Sequence, residues 1–155
     1  MAEKLDQELQ RAFVIDDFET MKVLVKQGID VNSVDARDGS SILLRAVIEN
    51  DKSTVDLLLE KHADPNKSDR RKMTPLHYAA LYKHIDVARA LINAGAFVDA
   101  QDQGGSTPLA YAASNRRDGY LQMVKLLVAG GADADLRIKD GRSLLEFYGI
   151  SLKDV

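Results

Sequence analysis

Apolar positions recur at helical spacing in three stretches, Val55-Asp56-Leu57-Leu58-Leu59, Val87-Ala88-Arg89-Ala90-Leu91-Ile92 and Met123-Val124-Lys125-Leu126-Leu127-Val128. Each predicts a helix with one buried face. A second, differently patterned segment precedes each of them. There, Leu43, Leu76 and Leu109 are expected to point into a shared core, and small residues such as Ala79, Ala80, Ala112 and Ala113 predict a helix lying close to its neighbours. Thr74 and Thr107 are placed to cap these helices through their hydroxyls, with Pro75 and Pro108 at the first helical position, where a missing N–H costs nothing. Gly28, Gly95 and Gly131 are placed to end the apolar helices in the left-handed conformation that glycine takes without strain.

These pairs repeat. Thr74-Pro75-Leu76-His77-Tyr78-Ala79-Ala80 aligns with Thr107-Pro108-Leu109-Ala110-Tyr111-Ala112-Ala113 and, more weakly, with Ser41-Ile42-Leu43-Leu44-Arg45-Ala46-Val47, at starts 41, 74 and 107. A second signature follows in phase: Gly28-Ile29-Asp30-Val31-Asn32, His62-Ala63-Asp64-Pro65-Asn66, Gly95-Ala96-Phe97-Val98-Asp99 and Gly131-Ala132-Asp133-Ala134-Asp135. On these motifs the chain resembles the ankyrin-repeat family over nearly its whole length. The resemblance implies an all-α ankyrin-repeat solenoid, in which helix-turn-helix units are joined by β-hairpin-like fingers. One domain over 1–155 would comprise an N-terminal cap (1–35), full repeats (36–68, 69–101 and 102–137) and a truncated C-terminal cap (138–155). A single unit cannot bury both of its faces, so stability is expected to come from stacking.

Three departures from the repeat stand out. His62 occupies a slot that holds glycine in the other copies, and Lys72 stands where Gly39, Gly105 and Gly141 stand in the other fingers. Lys72 also belongs to a basic run, Asp69-Arg70-Arg71-Lys72-Met73. Finally, Ser114-Asn115-Arg116-Arg117-Asp118-Gly119-Tyr120 lengthens one turn between helices and brings two arginines and a tyrosine, types favoured at interface hot spots.

Composition narrows the chemistry. With 155 residues, 45% hydrophobic and 29% charged, the chain suits one folded unit; its net charge of -3 leaves no general basic excess for nucleic acid. There is no cysteine. Charges occupy the N-terminus and no apolar run approaches the ~18 residues of a span, so no membrane partner and a cytoplasmic location are expected. The three histidines fall in separate structural roles rather than at metal-ligand spacing, and no G-x-S-x-G, Walker or dinucleotide motif occurs. Asp30, Asp64, Asp99 and Asp133 recur with the repeat and are read as turn residues. The expectation is a non-catalytic chain without metal, cofactor or small-molecule substrate.

The resemblance implies a concave face, made of finger tips and the ends of first helices, that grips another protein. The fingers would contribute Arg37, Asp38, Ser40, Arg70, Arg71, Lys72, Met73 and Gln103. From the helix ends would come Val14, Ile15, Ile48, Glu49, Leu81, Tyr82, Ser114 and Asn115, with Arg116 and Arg117 on the insertion. Ile15, Ile48, Leu81 and Tyr82 are expected to form an apolar strip rimmed by charge. The basic finger predicts a partner with an acidic patch, and the chain is expected to be monomeric when free. A sharper form of this reading is a stand-alone inhibitor or immunity protein. The alternatives are an adaptor or kinase-inhibitor-like scaffold and, in another class, nucleic-acid binding through the basic finger.

Overall fold

The computed structural model describes residues 2–114, 118–136, 142–151 and 153, with the backbone alone for residues 2 and 3. Among them the chain forms α1 (Ala2–Val14), α2 (Phe18–Lys26), α3 (Ile42–Ile48), α4 (Lys52–Glu60), α5 (Pro75–Tyr82), α6 (Ile85–Asn93), α7 (Pro108–Ser114), α8 (Tyr120–Ala129) and α9 (Leu144–Phe147). No sheet forms among the described residues, where an isolated antiparallel bridge joins Val34 to Ser41.

The helix starts have local causes. Ser41 accepts the Leu44 N–H at 3.2 Å ahead of α3, and Thr107 accepts the Ala110 N–H at 3.3 Å ahead of α7. Thr74 caps α5 as expected, in a reciprocal capping box with His77. Its hydroxyl lies 2.9 Å from His77 Nδ1, and its N–H donates to the same nitrogen at 3.1 Å, so the imidazole helps to organise the start of α5. An accepting Nδ1 leaves the ring proton on Nε2, which donates to the Ser106 carbonyl at 3.0 Å in the next finger. The second helices start differently. Asp17 accepts both the N–H and the hydroxyl of Thr20, and Asp51 does the same for Thr54. His84 and Gly119 stand at that place before α6 and α8 without a side-chain cap bond.

Successive pairs stack into two rows. Helices α3, α5, α7 and α9 pack in order as the inner row and α4, α6 and α8 as the outer row, while α1 packs on α2, which packs on α3, and is tied directly to the first finger by Gln10 and Arg37. Leu43, Leu76 and Leu109 are buried as expected, with Ala79, Ala80, Ala112 and Ala113 beside them and Leu58, Leu91 and Leu127 from the outer row. Burial of each such leucine stabilises by about 1.5–3 kcal/mol relative to exposure, and the alanines are what allow the inner helices to approach.

Between pairs the chain runs out and back as a finger. Asp35, Asp69 and Asp102 donate their N–H groups across the finger to Ser40, Met73 and Ser106 at 2.9, 3.1 and 3.0 Å. Neighbouring fingers are linked from Arg70 N–H to the Asp38 carbonyl at 2.9 Å, and from Gln103 N–H to the Arg71 carbonyl at 2.8 Å. The finger bases are stapled by side chains. Asn32 accepts from Asp64 N–H at 2.8 Å and donates to the His62 carbonyl at 3.4 Å; Asn66 accepts from Phe97 N–H at 2.7 Å and donates to the Gly95 carbonyl at 3.2 Å. The Asp99 carboxylate accepts from Asp133 N–H at 3.1 Å but, unlike an asparagine amide, has no N–H to give back.

Candidate protein-binding face

The face is set by how each finger is closed. Asp69 Oδ1 accepts the N–H groups of Arg71 and Met73, both at 2.9 Å, while Oδ2 accepts the Tyr78 hydroxyl at 2.8 Å. Asp102 repeats the arrangement with the N–H groups of Gly104 and Ser106 and the Tyr111 hydroxyl, at 2.8, 2.8 and 2.7 Å. The Asp102 carboxylate pushes the Tyr111 phenol up to about 12. Burial works to raise the Asp102 carboxyl itself, but the Tyr111, Ser106 and Gly104 donors together hold it below its ordinary value.

On the middle unit this scaffold carries a continuous row. Arg71 Nη2 donates to the Tyr78 hydroxyl at 2.9 Å, the Tyr78 and Tyr82 rings stack at 6.3 Å, and Tyr82 stacks on His84 at 5.6 Å. Tyr78 is buried, Tyr82 is 48% exposed, and Arg71 is exposed beside Arg70 and Lys72. A guanidinium thus stands at one end of an aromatic row that runs from the finger to the end of the first helix. Burial holds His84 below the ordinary imidazole value, opposed by the Ile48 carbonyl. His77, buried beneath the finger, is likewise lowered by burial.

The first finger uses arginine where the later two use tyrosine. Asp35, 1% exposed, pairs with Arg37 Nη2 at 2.7 Å and Arg45 Nη2 at 3.4 Å. The Arg37 hydrogen bond comes first among the causes that lower the Asp35 carboxyl below its ordinary value. Arg45 also reaches Asp16 and Asp38, each at 3.3 Å. Arg37 Nη2 donates to the Phe13 carbonyl and Nη1 to the Val14 carbonyl at 3.3 Å, closing the end of α1 from the following unit.

The expected face is changed by these contacts. Met73 and Ser40 are 3% and 2% exposed and do not present side chains to a partner. Met73 is covered by Tyr111, whose hydroxyl lies 3.9 Å from its Sδ, and the Ser40 hydroxyl is committed to Asp38 of its own finger at 2.6 Å. The apolar strip is also broken. Ile48 and Leu81 are half-buried against the core, whereas Ile15 and Val14 are 71% and 60% exposed. The residue corresponding to Ile15 and Tyr82 in the intervening unit is the exposed Glu49. Arg37, Asp38, Arg70, Arg71, Lys72, Gln103 and Ser114 are exposed. Of these, Arg37 is committed to α1, and Arg70 Nη2 donates to the Ala36 carbonyl at 2.6 Å. Asn115, Arg116 and Arg117 lie outside the described residues.

Sequence reading missed the clamp beneath the fingers. Its signal was present as an aspartate nine residues before a tyrosine in two units, Asp69 to Tyr78 and Asp102 to Tyr111.

Comparison with known proteins agrees with this architecture. A family model described as ankyrin repeats (3 copies) matches residues 9–102 and 43–140. The chain belongs to the ankyrin-repeat family. Repeats of this family mediate protein–protein interaction. A putative ankyrin repeat protein of Rickettsia bellii (strain RML369-C) is 32% identical over 123 residues, which are 76% of this chain and 34% of that protein. The E3 ubiquitin-protein ligase Ufd4 of Drosophila melanogaster is 34% identical over 131 residues, 81% of this chain and 5% of the ligase. The human ankyrin repeat and SOCS box protein 6 is 33% identical over 125 residues, 77% of this chain and 30% of that protein. The chain thus spans about a third or less of the length of these curated relatives. Among the described residues, no helix is long and apolar enough to cross a membrane.

Proposed function

We propose that this ankyrin array binds a partner protein through its concave face without catalysing a reaction, with the unit containing α5 and α6 at the centre of contact. The observation that carries this reading is the row from Arg71 through Tyr78 and Tyr82 to His84, with Tyr82 left 48% exposed. A half-exposed tyrosine supported on both sides by stacked rings loses little side-chain freedom on binding, which is why such residues serve as anchors. Arg70, Arg71 and Lys72 at the finger end of the row fit a partner whose facing patch is acidic.

Affinity purification from native extract supplies the partner, and titration with variants tests the face. Tyr82→Ala removes an exposed ring and is expected to weaken binding by about thirtyfold, the scale of an interface hot spot. Arg70→Glu with Arg71→Glu is expected to weaken it at least as much, with circular dichroism checking the fold. A partner indifferent to both changes overturns the reading. An inhibitor or immunity role is its sharper form, and predicts that a partner enzyme or toxin loses activity in proportion to occupancy.

A further inference from the structure

The finger bases differ at one position. In three of them the third residue of the loop is an aspartate that accepts the N–H two residues on: Asp30 from Asn32 at 2.9 Å, Asp64 from Asn66 at 2.8 Å and Asp133 from Asp135 at 2.9 Å. In the other that place is taken by Phe97, which has no acceptor to offer. The backbone turn is nevertheless the same. Ala100 N–H donates to the Phe97 carbonyl at 3.2 Å, as Ser33, Lys67 and Leu136 donate to Asp30, Asp64 and Asp133. The loop therefore calls for a short acceptor, and phenylalanine forgoes that bond. Its side chain is 68% exposed, so the substitution is not explained by packing.

The surroundings indicate what would sit on the ring. Asp99, Asp133 and Asp135 follow along the same edge and Asp64 precedes it, all exposed, so that these carboxylates outnumber Lys61 and Lys67 of the preceding loop. Phe97 is separated from Tyr82, the exposed ring of the aromatic row. Tyr82 closes α5 and Phe97 follows α6, which returns antiparallel, so the two aromatics stand at opposite ends of a helix pair about 12 Å long.

We propose that the finger-base edge is a second docking surface, centred on Phe97, for an arginine-bearing basic segment of a protein. A guanidinium can lie flat on a phenyl face while its N–H fork turns toward carboxylates of the same edge, a combination that a lysine ammonium reproduces less well. The excess of carboxylates along the edge disfavours an anionic occupant. The surface is independent of the concave face, so the array can hold an acidic and a basic element at once.

The test uses the full chain, labelled with nitrogen-15 and titrated with an acetylated peptide of alternating arginine and glycine, alongside its lysine and glutamate counterparts. The arginine peptide is expected to give saturable shifts at the amides of Phe97, Asp99, Ala100 and Asp133, the lysine peptide to bind several-fold more weakly, and the glutamate peptide not to bind. Phe97→Asp provides the decisive sign. It restores the residue found in the other loops and adds a negative charge, so simple charge attraction makes the arginine peptide bind more tightly, whereas docking on the ring makes it bind at least tenfold more weakly. Phe97→Ala, which leaves the charge unchanged, must also lose binding, and Tyr82→Ala must retain it. Binding by Phe97→Asp as tight as that of the parent, or shifts centred elsewhere, overturns the proposal.

Discussion

Lys72 and His62 hold φ of +60° and +63°, in slots where other units place glycines such as Gly39 at +77° and Gly95 at +88°. A side chain in that region costs about 1 kcal/mol through crowding of Cβ against the following carbonyl. Replacing either residue by glycine should therefore raise the unfolding free energy by about that amount in urea titrations. The two should differ in binding. Lys72→Gly removes a cation from the proposed face and is expected to weaken partner binding, whereas His62→Gly, at a finger base, should leave it intact. Equal affinity of Lys72→Gly and the parent would remove the finger tip from the interface.

At the scale of the element, the clearest determinant is Asp51 at the head of α4. Its carboxyl is held down to about 2, first by the Ser53 hydroxyl, then against burial by the N–H and hydroxyl of Thr54, with Lys22 nearby. A value below the ordinary 3.8 means that the unfolded chain takes up the proton first. The cap thus contributes fully above the ordinary value and is lost as pH falls from there toward about 2. Asp51→Ala is expected to cost about 1 kcal/mol at neutral pH. The gap between variant and parent melting temperatures should close through that acid window, and a gap unchanged by pH would mean that the carboxylate is not the cap.

The sequence made the helix pairs legible because Thr-Pro starts and glycine ends are local signals. It hid the Asp17–Thr20 and Asp51–Thr54 caps because the second helices begin by different chemistry from the first. The face was less legible, for a physical reason. Whether Arg37 or Arg70 is free depends on carbonyls more than twenty residues away, at Phe13 and Ala36. Met73 looked exposed from its place on a finger, but Tyr111 of the next unit covers it.

In the whole molecule, stability is distributed over joints between neighbours, since each unit packs chiefly on the next. The joints are not equal. Asn32 and Asn66 each accept from and donate to the next unit, while Asp99 only accepts. Asp99→Asn supplies the missing donor and is expected to stabilise the chain by about 0.5–1.5 kcal/mol. An unchanged thermal midpoint would argue against the staple. The same handshake at successive joints has an evolutionary corollary. A segment cut and pasted in phase arrives with its own donor and acceptor in place, so the array can lengthen by duplication without inventing a new junction, whereas an out-of-phase insertion must be absorbed in a turn.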